Sequence, residues 1–167
     1  MMNRRNFLLS GVGLAAFAGL GLSVSSRAGA RAAEGTFEVA MSEDEWRKKL
    51  TPGQFEILRQ EGTEPPFTSA LLHEKRAGIF HCAGCDQALY SSKTKFDSGT
   101  GWPSFYEAMP NAVGTSVDRS LFVARTEVHC ARCGGHLGHI FDDGPPPTGK
   151  RHCIDGLALT FAPKADA

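Results

Sequence analysis

The sequence has no excess of either charge, with 18 Lys and Arg residues against 18 Asp and Glu residues. The first 32 residues contain four arginines and no acidic residue, so the remainder has 18 − 4 = 14 basic and 18 acidic residues and a net charge of −4. Nucleic-acid-binding domains present clustered basic residues, and we therefore expect no nucleic-acid partner. The sequence also lacks an internal repeat, which excludes a solenoid.

The N-terminal segment, residues 1–32, lacks acidic residues and has the order of parts that is typical of an export signal. Arg4 and Arg5 precede an uncharged stretch rich in Ala, Gly and Leu, and small residues that fit a cleavage site follow up to Ala32. The paired arginines are similar to those of twin-arginine signals. The alternative is a retained membrane anchor, but the many glycines make this stretch weakly hydrophobic.

Cleavage after residue 32 leaves residues 33–167, a length that suits one compact domain. We expect a monomer without stable membrane insertion, in a periplasmic or secreted location. The resemblance to twin-arginine signals implies export of the folded protein. A metal ion loaded in the reducing cytoplasm would then protect the cysteines from oxidation outside it.

Two capping boxes predict short helices near the start of the remaining chain. Ser42 is followed three residues later by Glu45, and Thr51 is followed by Gln54, with a proline directly after Thr51. We expect the first helix to extend through Leu50 and the second to about residue 60.

The sequence changes character after Gly78, where short segments rich in β-branched and aromatic residues alternate with Gly, Pro, Asp and Ser. This pattern is typical of an antiparallel β domain. The predicted strands are residues 78–81, 87–90, 120–128 and 157–161.

Four of the five cysteines form two CxxC pairs, Cys82 with Cys85 and Cys130 with Cys133. Each pair has the spacing of a zinc knuckle, and two knuckles supply the four thiolates of one tetrahedral zinc site. Such a site has no open position for water, so the predicted zinc, one per chain, is structural. The alternative is a redox dithiol or two disulfides, which export to an oxidising compartment would favour.

Cys153 has no partner left, and several polar residues accompany it along the sequence. A lone cysteine near histidines is a candidate nucleophile, since its thiolate is both reactive and tunable. The candidates around it are Arg151, His136, His139 and, in a Gly-Trp-Pro turn, Trp102. Taken singly, each has a simpler explanation: a small buried cysteine, surface histidines, a solvated arginine, a core tryptophan.

The chain resembles the methionine-R-sulfoxide reductase family (the B type) in its first CxxC pair, in FDSGTGWPSF at residues 96–105 and in RTEVHCARCGGHLGHIFDDGPPPTGKRHCIDGLALTF at residues 125–161. The likeness extends from about Ser42 to Phe161. It implies a mainly β fold of two antiparallel sheets in a tent-like arrangement, a structural zinc and reduction of the R epimer of methionine sulfoxide.

Within this resemblance, Cys153 matches the catalytic cysteine, and His136 and His139 match the two active-site histidines. A sulfoxide oxygen is a poor leaving group, so attack by a thiolate needs a proton delivered to that oxygen. We assign attack to Cys153 and proton donation to His139, with His136 orienting or sharing that role. Cys153 becomes a sulfenic acid. The charges of Arg151 and of the imidazolium are expected to favour its thiolate form.

Three further residues are matched to substrate binding. Trp102 matches the aromatic residue that packs on the substrate methyl group, where a flat indole can make a sulfur–aromatic contact. Asp143 and Arg151 match a polar pair that supports the surroundings of the cysteine.

The sequence departs from the family pattern at Thr100, where many relatives carry a cysteine that attacks the sulfenic acid. With four cysteines committed to zinc, no thiol remains to resolve Cys153. Recycling therefore needs an external reductant, a thioredoxin-like protein or a small thiol.

A second departure is Asp155, in RHCID instead of the commoner RYCIN. An asparagine amide donates a hydrogen bond, whereas an ionised carboxylate cannot. The carboxylate would also raise the pKa of Cys153, unless it pairs with Arg151 or His152 or turns away.

Two further functions fit part of the pattern: a zinc-stabilised binding module without catalysis, and a different zinc-containing thiol enzyme that acts on small thiol adducts. The first leaves Cys153, the histidines and Trp102 unexplained.

Overall fold

A computed structural model describes residue 33 and residues 35–121 and 123–164, so the predicted signal segment lies outside the described residues. Within this range, none of the helices has the length and apolar character needed to cross a membrane.

Two short helices open the domain, as their caps predict. Helix α1 spans Glu43–Lys49 and helix α2 spans Pro52–Gln60, and both capping boxes are formed. Trp46, Phe55 and Leu58 are buried in the core. The helices therefore cover one side of the β structure that follows.

The described residues form two antiparallel sheets. The smaller sheet has the order β2-β1-β9 and the larger has the order β3-β4-β8-β7-β6-β5. The strands are β1 (Gly78–Cys82), β2 (Ala88–Ser91), β3 (Lys95–Phe96), β4 (Ser104–Phe105), β5 (Val113–Asp118), β6 (Arg125–Cys130), β7 (His136–Phe141), β8 (Arg151–Ile154) and β9 (Leu159–Pro163). The predicted mainly β fold with two antiparallel sheets and short N-terminal helices is confirmed.

Several predicted strand bounds were wrong. The segment predicted at 120–128 begins as a strand only at Arg125, and the last strand begins at Leu159 after a 3-10 turn at Gly156–Ala158. Strands β3, β4, β5, β7 and β8 were missed, and β3 and β4 have only two residues each. Strand β5 is largely exposed, and β7 and β8 carry the polar residues of the site, so neither shows the alternation of a half-buried strand.

The four cysteines of the CxxC pairs meet at one point. Their sulfur atoms all lie within 4.8 Å of one another, with 3.7 Å between Cys82 and Cys133 and 3.5 Å between Cys85 and Cys130. Metal–sulfur bonds of about 2.3 Å in a tetrahedral site place the sulfurs roughly 3.8 Å apart, whereas disulfide sulfurs are about 2.05 Å apart. The donor set therefore fits a metal ion.

This cluster joins the two sheets. One pair lies at the end of β1 and in the turn that follows, and the other at the end of β6 and in its following turn. Two cations support the turns: Arg59 donates to the carbonyl of Cys133 at 3.0 Å, and Arg132 donates to the carbonyl of Cys85 at 3.2 Å. Their positive charge offsets the negative charge that four thiolates bring.

We predict that removal of the metal destabilises the whole domain. Chelation, or Cys82→Ser, should lower the thermal midpoint by about 10 °C or more, because a closed thiolate site contributes several kcal/mol and each kcal/mol corresponds to roughly 3–4 °C in a domain of this size. The measurement is thermal unfolding together with metal content. Cys153→Ser is the matched control and should keep both the metal and the midpoint. An unchanged midpoint in the stripped protein would contradict a structural role.

Candidate functional site

Cys153 lies in the middle of the larger sheet. Strand β8 runs between β4 and β7, so that Ser104 and His139 are the Cα partners of Cys153 on its two sides. Gly138 allows the close approach of β7: its φ is +147°, and a Cβ there would lie 2.0 Å from the carbonyl oxygen of Cys153. A glycine is required at this position to bring His139 beside the cysteine.

Cys153 opens into a pocket of about 130 Å³. Trp102 and Phe141 supply its aromatic walls, and His139 and Asp155 supply polar groups. The remaining lining residues are Thr63, Arg125 and Gly138. The pocket combines a thiol, an imidazole and a flat apolar wall in a space that suits a small side chain.

Trp102 is fixed by a hydrogen bond, since its indole Nε1 donates to the carbonyl of Glu64 at 3.0 Å. Glu64 lies in the segment after α2, and its own amide donates to Asp155 at 2.8 Å. Glu64 therefore positions both Trp102, which forms the aromatic wall, and Asp155, which follows β8.

His139 is paired with an acid. Its Nε2 lies 2.8 Å from the carboxylate of Asp118 on β5, which also binds Arg125. Burial lowers the pKa of His139 below its ordinary value, and the hydrogen bond to Asp118 opposes that shift. The pairing occupies Nε2, and among the described residues Nδ1 has no hydrogen-bond partner.

His136 lies in an adjoining polar pocket of about 350 Å³ rather than in the pocket of Cys153, with its ring 5.4 Å from that of His139. Its Nδ1 lies 2.9 Å from Glu127, which also accepts from His129 at 2.8 Å. Burial raises the pKa of Glu127, but these two hydrogen bonds outweigh it and lower the pKa to about 2. The ionised Glu127 therefore orients the ring of His136.

Arg151 and Asp143 form a two-pronged ion pair, at 2.8 Å and 2.9 Å. The guanidinium also lies over the ring of Phe141, 4.4 Å from its centroid. Neither Arg151 nor Asp143 lines the pocket itself. The pair therefore contacts the pocket wall through the ring of Phe141.

The thiol of Cys153 differs from the expectation. Burial raises its pKa above the ordinary value, and the positive charge of Arg151 opposes this without reversing it, while Asp155 raises it further. The thiolate is therefore less favoured in this site than the neighbouring arginine alone would suggest, because most of the side chain is removed from water.

Thr100, the first departure from the family pattern, lies beside Cys153. Its Oγ1 lies 4.0 Å from the sulfur of Cys153. The hydroxyl groups of Thr100, Ser98 and Ser104 form a short chain, with oxygens 2.8 Å and 2.7 Å apart. This chain holds the turn that carries Trp102 against strand β4.

Asp155 pairs with neither Arg151 nor His152. Its hydrogen-bond partner is the amide of Glu64, and it reaches the pocket beside Cys153. His152 points away, with its Nδ1 3.1 Å from the hydroxyl of Tyr90 and its pKa lowered to about 4 by burial.

Sequence reasoning missed Asp118, Glu127 and Glu64. Asp118 and Glu127 belong to the facing strands β5 and β6, so the unpredicted strand β5 hid the first of them. The RTEV motif contains Glu127, but nothing local indicates that it faces inward. Glu64 meets Asp155 across 91 residues of sequence, a contact that no local pattern could indicate.

Comparison with known proteins gives consistent matches. A SelR domain profile matches residues 50–163. The chain is 53% identical over 135 residues to the peptide methionine sulfoxide reductase MsrB of Leifsonia xyli. The aligned region covers 80% of this chain and 97% of that protein. It is 50% identical over 141 residues to the human mitochondrial methionine-R-sulfoxide reductase B2. That alignment covers 77% of this chain and 75% of the human protein. With more than half of its length matched by the SelR domain, the chain belongs to the methionine-R-sulfoxide reductase family, the B type.

Proposed function

We propose that this protein reduces methionine-R-sulfoxide, in proteins or as the free amino acid, to methionine, and so repairs oxidised proteins. The observation that carries the proposal is the placement of Cys153, His139 and Trp102 around one small pocket in a chain of this family.

Cys153 is the nucleophile. Its thiolate attacks the sulfur of the sulfoxide, and the oxygen, with a proton, passes to Cys153. The sulfoxide is reduced by two electrons to the thioether, and Cys153 is oxidised by two electrons to a sulfenic acid. The high pKa of Cys153 means that the reactive thiolate forms as a minor species, which Arg151 supports.

His139 delivers the proton to the departing oxygen. Asp118 on Nε2 favours the charged ring against the effect of burial, and Nδ1 remains for the transfer. His136, 5.4 Å away and held by Glu127, orients His139 or shares its role.

Trp102 and Phe141 select the substrate by enclosing its S-methyl group. An indole fixed by its Nε1 hydrogen bond offers a rigid apolar wall, and sulfur–aromatic contacts are favourable. When methyl, oxygen and side chain each have one place, the S epimer would exchange two of them. Such a pocket accepts one epimer only, and the family to which the chain belongs supports the R epimer.

The metal in the four-cysteine cluster is zinc, since four thiolates in a tetrahedral arrangement favour that ion. It would be held by Cys82, Cys85, Cys130 and Cys133. With all four positions filled by protein, it stabilises the fold.

The oxidised enzyme is reset by an external thiol, from a thioredoxin-like protein or a small molecule. Two thiols reduce the sulfenic acid, forming a disulfide and water and restoring Cys153. This agrees with a sequence in which the only cysteines besides Cys153 are the four of the metal cluster.

The protein works outside the cytoplasm, in the periplasm or secreted. The support is the N-terminal sequence, with Arg4 and Arg5 before an uncharged stretch and possible cleavage sites.

An assay with both epimers tests the proposed activity. With dithiothreitol as reductant, the R epimer should be reduced and the S epimer should not. Cys153→Ser should lower the rate by more than about 10³-fold, as removal of the nucleophile does in covalent enzymes. Unchanged metal content and thermal midpoint in this variant show that the fold is intact. Turnover of the S epimer alone, or an active variant, would refute the proposal.

A single turnover without reductant tests the route of recycling. Cys153 should appear as a sulfenic acid that dimedone traps, since no second thiol is in reach. In Thr100→Cys the new thiol should replace the trapped species by an intramolecular disulfide, because Thr100 Oγ1 is 4.0 Å from the sulfur. Thr100→Ser is the matched control and should remain trappable. Mass spectrometry that finds Cys153 in an intramolecular disulfide in the wild type would exclude external recycling.

Export is tested by sequencing the N-terminus of the mature protein from its native host. We expect it to begin at residue 31 or 33, after one of the small-residue sites. A protein that remains in the membrane fraction with an intact N-terminus would identify the segment as an anchor.

A further inference from the structure

Asp155 is a buried acid in the reaction pocket. It follows strand β8, is 3% exposed and lines the pocket with Cys153, Trp102 and His139. Its Oδ1 accepts a hydrogen bond from the amide of Glu64 at 2.8 Å. Among the described residues, no Lys, Arg or His forms a salt bridge with it and no group hydrogen-bonds to Oδ2. An ionised carboxylate buried without a cation is costly, so the neutral acid is favoured.

The groups that face Asp155 reinforce this preference. Glu64, from the segment after α2, brings a second buried carboxylate, which accepts the amide of Gly156. Cys153 would bring a further negative charge as a thiolate. His136 of strand β7 opposes these charges, and Arg125 and His139 line the same pocket without forming a salt bridge with Asp155. Burial raises the pKa of Asp155 to about 7; the Glu64 charge adds to this, whereas the Glu64 amide and His136 lower it.

We propose that Asp155 acts in its neutral form as a substrate-binding residue, donating a hydrogen bond from its Oδ2 hydroxyl to the sulfoxide oxygen. The amide of Glu64 fixes Oδ1 as the acceptor, so the second oxygen carries the proton. A neutral carboxyl group arranged in this way has the same acceptor and donor positions as an asparagine amide. The identification of the hydrogen-bond acceptor as a sulfoxide oxygen rests on the proposed function.

This role makes the activity depend on pH in a direction that the structure fixes. A carboxyl group with a raised pKa is neutral below that pKa and becomes charged above it. Ionised Asp155 has no proton to donate and repels the partly negative oxygen. Activity that depends on Asp155 is therefore fully present at acidic pH and is lost as pH rises through about 7.

Asp155→Asn separates this effect from the others, because the amide donates at every pH. We expect kcat/KM of the variant to be close to that of the wild type at pH 6. The variant-to-wild-type ratio should then rise about 30-fold by pH 8.5, since a group with a pKa of about 7 is about 90% neutral at the first pH and about 3% at the second. A ratio that does not change with pH would overturn the proposal.

An ionised Asp155 also suppresses the thiolate of Cys153, and this effect must be measured separately. The rate of iodoacetamide alkylation at Cys153, followed by mass spectrometry in both proteins, reports the thiolate across the same pH range. The activity ratio should exceed the alkylation ratio above pH 7. Equal ratios at every pH would show that Asp155 acts only on the thiolate, and would overturn the proposal.

Asp142→Asn is the matched control, because this carboxylate is 83% exposed and pairs with Lys150 on the surface. It should leave the wild-type pH profile unchanged, and a profile shifted like that of Asp155→Asn would overturn the assignment.

Infrared spectroscopy tests the protonation without any substrate. The wild type should show a neutral-carboxyl band that titrates near pH 7 and is missing in Asp155→Asn, and its absence would overturn the proposal. If the infrared band is present but the enzyme does not reduce the R epimer, the proposed function and the sulfoxide oxygen as acceptor are both refuted. The neutral form of Asp155 would then still hold.

Discussion

The pairing of strand β8 between β4 and β7 is the constraint on which the site depends. It places Ser104 and His139 directly beside Cys153, and it needs Gly138, because any side chain there would strike the backbone of β8. A shift of one residue in this register would turn Cys153 to the other face of the sheet. Both neighbouring strands, and the metal-binding turn that precedes β7, therefore act on the chemistry by holding a four-residue strand in place.

Most of the carboxylates around this strand have cationic partners, and Glu64 and Asp155 are the exceptions, because their hydrogen-bond donors among the described residues are backbone amides. Asp118 meets His139 and Arg125, and Glu127 meets two histidines, so each of these carboxylates has cationic or donor partners. Asp155 has the amide of Glu64 alone. Burial without a cation favours its neutral form, and the same burial keeps Cys153 largely as a thiol. A thiol held in this way is less exposed to non-specific oxidation before substrate enters.

Local signals made part of this structure predictable. Both helices followed from capping boxes, and the sulfur cluster followed from two CxxC pairs, because each depends on residues a few positions apart. Strands β7 and β8 were not predictable from periodicity, since the histidines, Arg151 and Cys153 occupy positions where alternating apolar residues would have marked a strand. The resemblance to a family pointed to those residues as the site, but it did not indicate the partners that orient them.

Thr100 and Asp155, the two departures from the family pattern, affect different half-reactions. Thr100 lies within 4.0 Å of the sulfur, so a hydroxyl there can support the thiolate weakly but cannot form a disulfide with the sulfenic acid. In the proposed cycle it therefore changes how Cys153 is reset and leaves the attack on the sulfoxide intact. Asp155 lies in the pocket and carries no thiol, so we expect it to act on binding and reduction of the sulfoxide, both directly and through the Cys153 thiolate. In the proposed cycle the two residues act at separate steps, so pH should govern reduction of the sulfoxide through Asp155, while an external thiol would return Cys153 to its reduced form.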